Sequence, residues 1–164
     1  MRAYAPSDAT RVRNLQVRYA QAYPGAAVIS REVYSYPAFQ GGRNVRGAFD
    51  PQGDLVGYAP MFPQPVPEGQ IAAPHVIWAE IKADPAIEEP VVLKEALWDW
   101  VLRRAREIRE ALPPHPMELR FRTSVPGRPA WTTCAPRALC TTGASSEWRA
   151  ISLRRSSTFR CPRG

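Results

Sequence analysis

The sequence predicts an α/β domain over residues 1 to 122, in the order β-α-α-β-β-β-α-β, with its sheet covered by one long helix. Three observations predict it: the helical period of residues 91 to 112, a hairpin pattern between Asn44 and Pro63, and the loss of any sustained period after Arg122. A chain of 164 residues with 45% apolar content can bury one such core, and a large multidomain assembly is excluded.

Met1 to Tyr4 reads as a short strand. Pro6-Ser7-Asp8 follows as a turn able to cap a helix through about Tyr19, in which Val12, Leu15 and Tyr19 recur at helical spacing. Gly25 breaks that helix, and Ser30-Arg31-Glu32-Val33 reads as the cap of a second, short helix ending before Pro37. Between Asn44 and Pro63 two apolar runs flank Asp50-Pro51-Gln52-Gly53-Asp54, where Pro and Gly supply the fixed and positive φ angles of a hairpin turn. Pro60, Pro63, Pro65, Pro67 and Pro74 then crowd 15 residues, which excludes a helix there. His75 to Ala83 reads as a strand that Pro85 ends. From Val91 to Leu112 the positions Leu93, Ala96, Leu97, Trp100, Val101, Ala105, Ile108 and Leu112 form an apolar stripe, opposite a solvated face of mixed charge. Pro113-Pro114 stops this helix, and Met117 to Phe121 resumes strand alternation.

The charge divides the chain at the same point. The whole carries +7, but residues 1 to 122 hold 15 basic and 14 acidic residues, whereas 123 to 164 hold seven Arg against the single Glu147. A basic protein ordinarily suggests a polyanionic partner, yet here the folded part is nearly neutral. The tail has no Lys and no clustered basic run, so nucleic acid is disfavoured as a partner. Cys134, Cys140 and Cys161 all fall in this tail without a CxxC pair or a nearby His, which argues against a metal site, and their odd number without a recognisable signal sequence argues against a secreted disulfide scaffold. No run approaches the about 20 apolar residues of a membrane helix, so the expected class is soluble and the expected compartment cytoplasmic.

Residues 123 to 164 are read as a basic, Cys/Arg/Ser-rich tail, poorly ordered or atypical, in which Trp148 to Leu153 alone suggests a short strand. A shifted reading frame in a GC-rich gene would account for such an ending. A sheet that stops after the 117 to 121 strand would leave that strand's edge uncovered and the product marginally stable.

Four stretches together carry a resemblance: Arg2-Ala3-Tyr4-Ala5-Pro6-Ser7-Asp8-Ala9; the hairpin Asp50-Pro51-Gln52-Gly53-Asp54-Leu55-Val56-Gly57-Tyr58; the strand Val76 to Pro85 ending in Ala-Asp-Pro; and the amphipathic helix after it. In this order and spacing, residues 1 to 122 resemble the GNAT superfamily of acyl-CoA-dependent N-acetyltransferases. The resemblance implies a mixed, mainly antiparallel sheet flanked by helices, and acetyl transfer from acetyl-CoA to an amine. By position it implies Glu80 as general base, with Ile81, Ala83, Val91, Val92 and Leu93 lining the cofactor's strand-loop-helix. The family cradles pyrophosphate in a Q/R-x-x-G-x-G/A loop, where small residues admit close backbone approach at a helix N-terminus. Here Glu88, Val91 and Leu93 stand at those positions, and no glycine occurs between Gly69 and Gly127.

Glu88 and Glu89 also read simply as acids stabilising the positive end of a helix that starts with Pro90. Glu80 reads equally as an outward strand residue beside Lys82, and His75 as an ordinary surface residue. The family's late Tyr, which protonates the departing thiolate, has no counterpart, since the six tyrosines end at Tyr58. Three functions therefore remain open: acetyl transfer to an unidentified amine through an atypical loop; a GNAT-like domain without catalysis, serving a partner domain or a homodimer; and nucleic-acid binding through the tail.

Overall fold

A computed structural model describes residues 1–24, 26–66, 74–88, 90–122 and 148–152. The elements are strand β1 (Arg2–Ala3), helix α1 (Ala9–Ala22), strands β2 (Val45–Phe49), β3 (Leu55–Pro63), β4 (His75–Ala79) and β5 (Lys82–Ala83), helix α2 (Pro90–Glu110), and strands β6 (Met117–Arg122) and β7 (Trp148–Ser152). They build one mixed sheet in the order β1-β2-β3-β4-β6-β7, with β5 beside β3. Every pairing is antiparallel except β4 with β6, which is parallel. The mixed, mainly antiparallel α/β sheet flanked by helices is the architecture expected from the sequence.

The second expected helix is replaced by two stretches of 3₁₀ turn, Arg31–Ser35 and Pro37–Gly42. Pro37 cannot continue a helical ladder and pushes Tyr36 into an extended conformation, so no α-helix propagates through this segment. Its chain reversal uses left-handed residues at Gln40 and Gly41.

The β2–β3 turn forms as expected. Gly53 takes φ +87°, and the Asp50 carboxylate accepts the Asp54 N–H at 2.8 Å. The single strand expected from His75 to Ala83 is split. The register along β3 nevertheless runs on unbroken, from Met61↔Ala79 to Tyr58↔Lys82 and Gly57↔Ala83. The break lies where the backbone N–H of Glu80 donates to the Pro60 carbonyl at 3.2 Å, because Pro60 has no N–H to return.

The two faces of the sheet bury different stripes. One carries Ala59, Met61, Ile77, Ala79, Leu119 and Phe121 against Leu97, Trp100, Val101, Ala105 and Ile108 of α2. The other packs Val45, Leu55 and Tyr58 against Val12 and Leu15 of α1, with Tyr34 and Phe39 from the 3₁₀ turns. At Gly57 the helix comes close: a Cβ there would lie 3.0 Å from Leu93 Cδ2 and 3.3 Å from Leu97 Cδ1. Leu93 is thereby committed to helix–sheet packing.

The outer edge of β6 is covered, contrary to the expectation of an open edge. β7 pairs with it antiparallel from Glu118↔Ser152 to Arg122↔Trp148, on the residues whose apolar content suggested a short strand. The cysteines and the charged remainder of 123 to 164 lie outside the described residues, as does Glu89. Among the described residues, no helix is long and apolar enough to cross a membrane.

Candidate functional site

The parallel pairing of β4 with β6 holds for five residues and ends at Ala79↔Phe121. Past that point, residues 80 to 84 keep β3 on one side and have no strand partner on the other among the described residues. Strand alternation then divides the side chains. Glu80 and Lys82 point toward α1, whereas Ala79, Ile81 and Ala83 lie on the α2 side, with Ile81 packed on the helix's core stripe.

Glu80 is neither outward-facing nor solvated. Its carboxylate lies 3.0 Å from Lys82 Nζ, and the two side chains are 10% and 2% exposed. Lys82 Nζ also donates to the Ala27 carbonyl at 3.2 Å and sits 5.9 Å from the ring centroids of both Tyr19 and Tyr58. Around this pair, Gln16 receives the Ile29 N–H at 2.6 Å and donates to the Tyr34 hydroxyl at 2.8 Å, tying the chain after α1 to the helix. Burial pushes the Tyr19 hydroxyl up to about 12, with Tyr23 and Glu80 adding to the shift. Tyr34 and Tyr58 are pushed up for the same first reason. All three stay protonated across the neutral range.

Lys82 and the tyrosines around it do not stand out in the sequence as one group. The signal was present in part, since positions 80 and 82 share a strand face, but which residues of α1 meet that face is a tertiary matter. His75 corrects another expectation. It is 1% exposed, packs edge-to-face on His115 with ring centroids 5.6 Å apart, and neither ring nitrogen has a hydrogen-bond partner among the described residues. Burial, then His115, pushes its pKa below the ordinary value.

The loop from β5 into α2 is organised around Asp84. Its carboxylate accepts the Ala86 N–H at 3.1 Å and Arg18 Nε at 2.9 Å, while its carbonyl accepts the Ile87 N–H at 3.1 Å. Two backbone donors that could face an anion are thus turned inward onto the chain's own aspartate. Pro90, first in the helix, has no N–H to offer, and Glu88 is exposed just ahead of it. Val91 and Val92 are 46% and 67% exposed, and Leu93 is held against Gly57. A carboxylate and a phosphate at roughly 4 Å repel by about 1 kcal/mol in water and by several times that when partly buried. These residues do not fit a pyrophosphate cradle.

No protein-family model matches the chain, and no curated protein matches it. Solved structures do. A GCN5-related N-acetyltransferase from Sphaerobacter thermophilus superposes with a TM-score of 0.52 at 19% identity, over 75% of this chain and 38% of that one. Naa20 of Chaetomium thermophilum, solved in complex with a bisubstrate analogue, gives 0.49 at 17% identity over 75% and 62%. A GNAT family acetyltransferase from Brucella melitensis, in complex with acetyl-CoA, gives 0.42 at 14% over 72% of each chain. The chain has the fold of the GCN5-related N-acetyltransferases, and it spans about two fifths of the Sphaerobacter protein it resembles.

Proposed function

We propose that this chain is a GNAT-fold domain that does not itself transfer acetyl groups, and that it serves as a binding or structural domain for a partner of the same fold or a second copy. The observation that carries this reading is the β5–α2 loop. Its Ala86 and Ile87 N–H groups are spent on Asp84, and Glu88 stands at the family motif's Q/R position with Val91 and Leu93 at its two small-residue positions. Acyl-CoA binding, which the fold alone would suggest, therefore lacks its anchor for the diphosphate.

A second reading is favoured by Glu80, a carboxylate on the central strand of a fold whose members move protons there: acetyl transfer from acetyl-CoA to an amine, with Glu80 accepting the ammonium proton. Release of free thiol from acetyl-CoA in the presence of a panel of primary amines separates the two. The first reading predicts release no faster than that seen with Glu80→Gln. Faster release by the native chain, abolished in that variant, would overturn it in favour of the second.

A further inference from the structure

Lys82 is one of only two lysines in the chain, the other being Lys94, and its ammonium ends in a set of groups that recognises primary ammonium ions. A carboxylate oxygen of Glu80 lies at 3.0 Å and the Ala27 carbonyl at 3.2 Å, and the rings of Tyr19 and Tyr58 stand at 5.9 Å. A carboxylate, a carbonyl and two aromatic faces together supply charge neutralisation, a hydrogen-bond acceptor and quadrupole attraction. Four parts of the chain build the cage, α1, the segment after it, β3 and the β4–β5 strand, so it exists only in the folded chain.

We propose that this cage is a binding site for a primary alkylammonium group that the chain fills from within, with Lys82 as the resident occupant. The inference deepens the reading above, because it closes the carboxylate side of the fold to an external amine just as Asp84 closes the loop side to an anion. It rests on the cage alone and can fail while the loop reading stands. If Lys82 holds the site, no external amine reaches Glu80 in the native chain, and deleting the Lys82 side chain beyond Cβ opens a space for an ion of its shape. That ion is n-propylammonium.

The test is rescue of Lys82→Ala by n-propylammonium chloride, read as the midpoint of thermal unfolding. At ten times its dissociation constant the ion raises the folded-to-unfolded ratio of the variant about elevenfold. The native chain and Lys82→Met, whose side chain fills the space, show no such rise, and the Glu80→Gln/Lys82→Ala double variant loses it. Equal effects on the native chain and Lys82→Ala, or a rescue indifferent to Glu80→Gln, would overturn the proposal. If Lys82→Ala does not fold unaided, its refolding yield with and without the ion gives the same comparison. Brief treatment of the native chain with acetic anhydride is the independent check: Lys94 is modified and Lys82 is not, and equal modification of the two would contradict an occupied cage.

Discussion

Glu80 and Lys82 show how a pair of side chains can carry opposite meanings in sequence and in space. Two charged residues alternating on a strand suggest a solvated face, and here they are turned under α1 into a buried ion pair. His75 makes the same point. A His between Pro74 and a strand looks superficial, yet it lies at the β4–β6 pairing, opposite Met117, beneath His115. Its pKa in the folded chain is below the value it regains on unfolding, so the unfolded state binds more protons between the two. Stability from this group is therefore complete above about pH 6.5 and is lost as the pH falls from there toward the folded value. Urea midpoints at about pH 7.5 and about pH 5.5 will show a larger acid loss for the native chain than for His75→Leu. An identical loss in both would place the sensitivity elsewhere.

At the level of elements, α2 and the β2–β3 hairpin were legible because their signals are local: a 3.6-residue apolar stripe and a Pro-Gly turn between apolar runs. The contact that joins them was not. Gly57 is ordinary in a hairpin sequence, and only the structure shows Leu93 and Leu97 lying where its side chain would be. Gly57→Val is expected to cost about 1–3 kcal/mol by overpacking, with part of it recovered by Leu93→Ala; unchanged stability in the single variant would deny the close approach. The 3₁₀ segments at Arg31–Ser35 and Pro37–Gly42 escaped sequence reading because a cap and two β-branched or aromatic residues look alike in a short α-helix and a 3₁₀ turn. The split of the central strand follows from Pro60 on its neighbour, a cross-strand effect with no trace in residues 75 to 83 themselves. β7 was visible only as a short apolar run, and its value lies in covering the edge of β6.

For the molecule as a whole, the residues that carry the fold and those that would carry the chemistry have parted. Both sheet faces are filled by well-patterned cores, and the parallel β4–β6 pairing ends at Ala79. The loop that would hold a diphosphate is instead folded around Asp84, and the buried carboxylate at Glu80 is already matched by Lys82. Of the +7 charge, residues 1 to 122 contribute only +1. Calorimetric titration of acetyl-CoA into the native chain is the most direct test of whether the fold persists without an acyl-donor site. No heat beyond dilution is expected; a saturable one-to-one isotherm would contradict the proposal.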